Sequence, residues 1–330
     1  MNDEAYQKYC ESCANSPMIK TLLKHFMQIS AGESQVPRKT IEASKEFLAQ
    51  DAELSKYHRL FCKNMGPMFE HFVASVPFLL EECCRTAIGC IRLAQSLAKT
   101  ENDYFTFYGL GSLDGAQERT IAQYSNGLIR TFTDSPNSEN TQIFYRSYNP
   151  EYSKFYNGIF CDVTPDFFAS QPELSIYQGG FDFIFEPIVF AFYGPNRREQ
   201  IKYLCRLLKE DGLFICLEKL KHKNILEYQK FEKIKDEEFK SLYFSEEDLS
   251  LKKEIFLKNM SNSGQIDFEI MSDALKHHFK HVYLIWNSAN FYEFVASNSE
   301  KNISRFVSLM PDPYVPRQFR LEKNMVRKLS

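Results

Sequence analysis

Short apolar runs alternate with helical connectors after about residue 100. Each run has the length and the aromatic or β-branched content of a buried strand, and the connectors carry apolar residues at helical spacing. The five runs are DYFTFYGL (103–110), TQIFYRSYN (141–149), GIFCDV (158–163), FDFIFEPIVF (181–190) and GLFICLEKL (212–220). Because strands joined by helices of about a dozen residues form crossover units, this pattern predicts a doubly wound α/β fold with a mainly parallel sheet.

Two more strand-like runs close this region, HVYLIWN (281–287) and NFYEFVASN (290–298). They stand so close together that they must pair as an antiparallel hairpin. Residues 1–100 instead place apolar side chains three or four apart, which predicts four or five helices before the sheet. Residues 219–258 mix Lys and Glu at helical intervals, and we expect solvated helix faces there.

Composition makes several classes of protein improbable. Of the 330 residues 44% are hydrophobic, and 40 Lys+Arg against 43 Asp+Glu give a net charge of -3. These values favour a globular protein and give no reason to expect a nucleic-acid partner. No run reaches the ~18 apolar residues of a membrane-spanning helix, so no membrane partner is expected. Cysteines occur without an export signal, and we expect free thiols in a reducing cytoplasm.

A loop that contains three glycines, YGLGSLDG (108–115), follows the first predicted strand and precedes the first predicted crossover helix. Ligands of doubly wound sheets bind at the carboxyl ends of the strands. Gly109 and Gly111 lack a Cβ atom, so the backbone here can approach a ligand closely. The loop is therefore a candidate binding element, although the same residues also suit a tight turn.

The order of elements resembles that of the class I S-adenosylmethionine-dependent methyltransferases over about residues 100–298. The resemblance implies a seven-stranded, mostly parallel sheet with an antiparallel last strand, in a domain of residues 101–300. It makes residues 1–100 a helical lid that contributes to the substrate site, and residues 301–330 a C-terminal extension. It also implies S-adenosylmethionine as cofactor and a small-molecule or carrier-bound acyl substrate in an enclosed pocket.

The same resemblance implies roles for individual residues of the cofactor site. Gly109, Gly111 and Gly115 would hold the methionine end of the cofactor, and the Asp114 carboxylate would accept a hydrogen bond from its ammonium group. Asn149, at the end of the predicted second strand, would bond the ribose in place of the acid that is usual there.

The third predicted strand supplies the adenine contacts that the resemblance implies. Asp162 would face the adenine amino group, and Phe160 or Val163 would flank the ring. A helix-capping role for Asp162 before Thr164 is an equally good interpretation. The family's usual acid just before the first glycine is missing, since Phe107 stands at that position.

Two residues near the fourth predicted strand are candidate catalytic groups. By the same resemblance, Glu186 would fall where that strand opens towards the transferring methyl group. A carboxylate inside an apolar strand is costly unless it is paired or functional. A structural ion pair is the alternative for Glu186. Tyr193 follows shortly after and would stack on or bond the substrate.

Histidines in ALKHHFKHVY raise the question of a metal ion. His277 and His281 are one helical turn apart, a spacing that can chelate a transition metal. A likeness to methyltransferase domains of polyketide-synthase loading modules, around YFSEEDL and the 277–292 segment, implies a mononuclear metal and makes His278 a candidate ligand. No acidic partner accompanies the histidines, so a structural role stays open.

Two other functions remain compatible with the sequence. The spacing of Gly109, Gly111 and Gly115 also suits the NAD(P) cofactor of an oxidoreductase. The missing acids equally suit a catalytically silent protein of the methyltransferase fold that only binds ligands. Binding of S-adenosylmethionine, S-adenosylhomocysteine or NADPH distinguishes these alternatives.

Overall fold

The computed structural model describes residues 3–147, 151–257 and 264–330. Its sheet contains eight strands. They are β1 (Phe105–Gly109), β2 (Ile129–Asp134), β3 (Ser153–Tyr156), β4 (Phe181–Pro187), β5 (Leu208–Lys219), β6 (His281–Ser288), β7 (Phe291–Ser297) and β8 (Arg327–Lys328). The order across the sheet is β3-β2-β1-β4-β5-β7-β6-β8.

Strand directions confirm the predicted fold class. The first five strands are parallel, with Gly109 of β1 opposite Thr133 of β2 and Phe185 of β4. Strand β7 lies antiparallel between β5 and β6, and the β6–β7 hairpin is the predicted closing pair. Seven strands were predicted; the eighth, β8, comes from the C-terminal segment and pairs with β6 through Arg327 and Leu284. The sheet is therefore the doubly wound, mostly parallel one that was predicted, with its antiparallel strands in the C-terminal part.

Among the described residues, six helices precede the sheet, where four or five were predicted. They are α1 (Asp3–Ala14), α2 (Pro17–Ser30), α3 (Lys45–Leu48), α4 (Ala52–Asn64), α5 (Pro67–Ser75) and α6 (Leu79–Leu97). Helix α6 packs on the sheet: Arg85 donates a hydrogen bond to the Ile285 carbonyl of β6 at 2.7 Å, and Thr86 donates one to Glu293 of β7 at 3.0 Å. The helical segment is thus partly a layer of the sheet domain, and α2 and α5 are the parts of it that cover the carboxyl edge.

The remaining helices connect the strands. They are α7 (Ala116–Tyr124), α8 (Ser138–Ser147), α9 (Pro165–Ala169), α10 (Arg197–Leu204), α11 (Ile225–Ile234), α12 (Glu246–Lys252), α13 (Phe268–His278) and α14 (Glu300–Leu309). Within the described ranges, no helix is long and apolar enough to cross a membrane.

Two predicted strands are wrong. TQIFYRSYN was predicted to be the second strand, but residues 138–147 form α8, with Phe144 buried and Tyr145 exposed as on a helix that packs on one side. The second strand is β2, in which the buried Thr131 donates a hydrogen bond to Ser153 of β3 at 2.8 Å. GIFCDV forms a 3-10 turn, Phe160–Asp162, rather than the third strand.

Candidate functional site

A cavity of about 190 Å³ lies at the carboxyl edge of the sheet. Its floor is formed by the loop after β1 and by the residues that follow β2 and β4, and α2 and α5 cover it. The lining of these parts is Gly111, Leu113, Ser135, Pro136, Asn137, Asn140, Pro187, Ile188, Val189, Phe192, Tyr193, Leu23, Phe26, Met68, His71, Phe72, Ser75 and Val76. This is the edge at which doubly wound sheets bind their ligands.

The glycine loop reaches this cavity at Gly111. Gly111 has φ +54°, and a Cβ atom there would lie 2.8 Å from Cγ2 of Val189, which also lines the cavity. Only glycine therefore lets the loop pass this close to the turn after β4. Gly115, at φ +69°, is the residue before α7, so the loop leads into a helix N-terminus as predicted.

Gly109 lies against Glu118, an acid that the sequence analysis missed. A Cβ atom on Gly109 would lie 1.9 Å from Oε1 of Glu118, and the Glu118 side chain, from the first turn of α7, is fully buried. Burial raises the pKa of Glu118 to about 7. The sequence offered one signal for Glu118, an acid near the start of the helix that follows the glycine loop, three residues after Gly115.

Asp134 ends β2 and takes the position assigned to Asn149 from the sequence. Oδ1 of Asp134 accepts hydrogen bonds from the Tyr108 hydroxyl at 2.6 Å and from the Gly111 amide at 3.0 Å. Burial is the main reason that its pKa is raised to about 7. Asn149 itself lies outside the described residues. The run IRTFTDSP, β-formers followed by an acid and a turn, was the signal for this residue.

Asp114 does not line the cavity. Its carboxylate accepts hydrogen bonds from the amides of Gly66 (3.1 Å) and Ala116 (3.0 Å) and lies 3.5 Å from the Arg119 guanidinium. The side chain is fully buried, and burial raises its pKa to about 6. In the structure Asp114 fixes the start of α5 to the glycine loop, and this geometry does not bring it to a ligand's ammonium group.

Glu186 is fully buried and does not line the cavity, although the sequence made it a candidate catalytic group. Its Oε1 accepts a hydrogen bond from the Phe190 amide at 2.8 Å. Burial first, and then the Glu218 carboxylate, raise the pKa of Glu186 well above its usual value. Glu186 therefore stabilises the turn after β4, the turn that carries Tyr193.

Tyr193 lines the cavity, with its ring packed edge-to-face on Phe160 at 5.1 Å between centroids. Val163 is fully buried in the adjoining core. Asp162 is exposed at the end of the 3-10 turn, where its Oδ2 accepts weak hydrogen bonds from the Tyr156 hydroxyl and the Ile159 amide, both at 3.4 Å. Its charge helps to raise the pKa values of Asp134 and Tyr193, so these groups lie in one region.

The structure does not support a metal ion at His278. Its Nε2 contacts the Arg198 carbonyl at 2.8 Å, which ties the end of α13 to the start of α10. Among the described residues, no group of three or more His, Cys, Asp or Glu side chains could hold a metal ion.

Lysines form the remaining wall of the cavity. We call Lys219, Lys235, Lys240 and Lys252 the lysine cluster; all four are buried and line the cavity. The expectation of solvated faces over residues 219–258 is wrong for these side chains. Lys253 also lines the cavity but is 57% exposed at its side chain.

No protein-family model and no curated protein matches the sequence. Among solved structures, the plantazolicin methyltransferase BpumL in complex with a monoazolic desmethylPZN analog and SAH is 10% identical; the match covers 86% of this chain and 100% of that chain, with a TM-score of 0.47. An O-methyltransferase family protein from Burkholderia thailandensis is 11% identical over 86% of this chain and 71% of that chain, with a TM-score of 0.44. The cyclopropane synthase MmaA2 from Mycobacterium tuberculosis is 12% identical over 58% and 60%, with a TM-score of 0.38. Similarity at this level carries no conclusion about function.

Proposed function

We propose that this protein transfers a methyl group from S-adenosylmethionine to a small-molecule or carrier-bound acyl substrate. The observation that carries the proposal is the position of Asp134. It ends the second strand of a sheet ordered β3-β2-β1-β4-β5-β7-β6, and it is bonded to the glycine loop through Gly111 at the edge where the cavity opens.

The residues at this edge fit the cofactor. Both hydrogen bonds that Asp134 accepts from Tyr108 and Gly111 go to Oδ1, so Oδ2 would accept from a ribose hydroxyl. The Gly111 backbone, without a Cβ atom, would lie beside the amino-acid part of the cofactor. Asp162 is proposed to bond the adenine amino group from its exposed position at the end of the 3-10 turn.

S-adenosylmethionine supplies an electrophilic methyl group, so the protein must mainly hold the acceptor close and in line. The apolar side chains of α2, α5 and the turn after β4 would exclude water and orient the substrate. Tyr193 would contact the substrate from that turn. Glu186 is a positioning residue, because it holds the turn through the Phe190 amide rather than touching the cavity.

Calorimetric titration with S-adenosylhomocysteine and with NADPH tests the proposal. We expect binding of S-adenosylhomocysteine and none of NADPH. Binding of NADPH alone would establish the oxidoreductase alternative, and binding of neither would refute a nucleotide-cofactor enzyme. If S-adenosylhomocysteine binds, methyl transfer to candidate acceptors then distinguishes an enzyme from a silent binding protein.

A further inference from the structure

The lysine cluster is unusual for its charge balance. Four buried ammonium groups are accompanied by two carboxylates, since Glu232 pairs with Lys219 at 3.0 Å and Lys235 at 2.6 Å, while Asp236 pairs with Lys240 at 3.0 Å. Asp236 is also shared with Lys253 at 3.1 Å. Buried ions are costly unless each has a counter-charge, so the cluster holds more positive charge than its own carboxylates neutralise.

Lys252 shows this excess most clearly. Its ammonium group donates hydrogen bonds to Nε2 of His71 at 2.8 Å and to Oγ of Ser75 at 2.7 Å, and it lies 3.8 Å from the centroid of the Phe244 ring. In the described part of the chain no carboxylate lies within ion-pair distance of it. His71 Nδ1 faces the Gln35 carbonyl at 3.1 Å, which makes Nδ1 the protonated nitrogen and Nε2 an acceptor for Lys252.

Burial and the excess of positive charge lower the pKa values of three of these lysines. Burial, and then the charges of neighbouring lysines, lower the pKa of Lys252 well below its usual value. Burial also lowers the pKa of Lys235 and of Lys240 to about 8. An anion bound among these groups would offset their desolvation and mutual repulsion.

The rest of the cavity defines what kind of molecule would bring that anion. No carboxylate among the described residues lines the cavity, and most of its lining away from the lysines is aliphatic or aromatic, including Phe26, Phe72 and Phe192. Phe291 lies beside the lysines: the centroid of its ring is 5.4 Å from Nζ of Lys235 and 5.9 Å from Nζ of Lys219. A ligand complementary to this cavity has an apolar body and one anionic end.

We infer that the lysine cluster binds an oxyanion, a carboxylate or a phosphate, at one end of an apolar acceptor substrate. That this substrate is a methyl acceptor rests on the proposed function, whereas the binding of the anion can be tested without turnover. Lys252 is the key residue because its charge has no carboxylate partner to compete with the ligand. Lys235 and Lys240, in the turns that follow α11, add to the positive electrostatic field.

Calorimetric titration of the full chain, saturated with S-adenosylhomocysteine if that binds, tests the inference with benzoate, phenyl phosphate and the neutral benzyl alcohol. We expect one or both anions to bind and the alcohol to bind at least tenfold more weakly. The preferred anion identifies the substrate's group as a carboxylate or a phosphate. Equal affinity of all three probes, or binding of none, would overturn the inference.

Lys252→Met removes the charge and keeps the length of the side chain, and Lys230→Met, on the exposed face of α11, is the matched control. Lys252→Met is expected to lose at least tenfold in anion affinity and Lys230→Met less than twofold. If Lys252→Met does not fold, Lys240→Met is measured in its place. The affinity for S-adenosylhomocysteine is expected to stay unchanged in both variants. A loss of S-adenosylhomocysteine affinity in Lys252→Met would assign the cluster to the carboxylate of the cofactor and refute a substrate site. A wild-type protein that binds the anions but not S-adenosylhomocysteine would refute the proposed function alone.

Discussion

Asp134 is the side chain on which cofactor binding depends most directly. Asp134→Asn keeps an acceptor oxygen for Tyr108 and Gly111 but removes the charge offered to a ribose hydroxyl. A charge-assisted hydrogen bond contributes about 1.5–3 kcal/mol, so we expect the affinity for S-adenosylhomocysteine to fall about 10- to 100-fold. Calorimetry measures this, with exposed Asp166→Asn as a control of unchanged affinity. Equal affinities of wild type and Asp134→Asn would remove Asp134 from the cofactor site.

Glu118 gives a pH-dependent prediction. Its pKa is raised by burial from 4.5 to about 7, so the folded protein holds a proton that the unfolded chain releases, and stability is lost as pH rises from about 4.5 to 7. The neutral Glu118→Gln variant lacks this loss. We expect its free energy of unfolding, relative to wild type, to be about 2–3 kcal/mol higher at pH 8 than at pH 5.

Denaturant unfolding of both proteins at the two pH values measures this difference. The comparison within one pH cancels the contributions of titrating groups that do not interact with Glu118. The same stability difference at pH 5 and pH 8 would show that Glu118 keeps an ordinary pKa in the folded protein.

At the scale of elements, the loop from β1 to α7 gives a prediction about Gly111. Alanine there would adopt φ +54° and bring its Cβ within 2.8 Å of Val189, so the loop must shift away from the turn after β4. We expect Gly111→Ala to lower the unfolding free energy by about 1–2 kcal/mol and to weaken S-adenosylhomocysteine binding. Gly179→Ala is the control, since a Cβ atom at Gly179 meets nothing within 4 Å. Unaltered binding by Gly111→Ala would show that the loop does not contact the cofactor.

Strands with continuous apolar sequence could be predicted, and strands with polar sequence could not. Strands β4, β6 and β7 and the apolar half of β5 are runs of aliphatic and aromatic residues, and their positions follow from hydrophobicity alone. Strand β2 carries the buried Thr131, which bonds Ser153 of β3, and the buried Asp134, which bonds Tyr108 of β1 and the Gly111 amide of the glycine loop. Such partners come from distant parts of the chain, so local pattern placed the second strand, and with it the proposed ribose-binding residue, one element too late.

The burial of the lysine cluster could not be predicted from the sequence for a related reason. Helix α11 continues into a π-helical turn, Lys235–Phe239, and α12 ends at Lys252 before another, Lys253–Leu257. A π-helical turn changes the angular spacing of side chains, so a reading at 3.6 residues per turn assigns the charges to the wrong face. The burial of Lys235 and Lys252 depends on how these segments pack at the carboxyl edge of the sheet, which the local sequence does not indicate.

At the scale of the whole molecule, the fold class and the closing antiparallel hairpin were the most predictable features, because they follow from element order and connection length. The polar contacts of the site were the least predictable. Glu186 was singled out as an acid in a costly position and Asp114 as an acceptor in the glycine loop, but each is held by backbone amides and neither lines the cavity. Sequence indicates that such an acid has a partner, whereas the fold decides whether the partner is the protein or a ligand.

A crystal structure of the protein with S-adenosylhomocysteine tests the central claim most directly. We predict the ribose hydroxyls within hydrogen-bond distance of Asp134, the amino-acid part beside Gly111, and the sulfur facing the cavity that Tyr193 and the lysine cluster line. A nucleoside bound at any other edge of the sheet, or a cavity that stays free of it at saturating concentration, would contradict the assignment of this site.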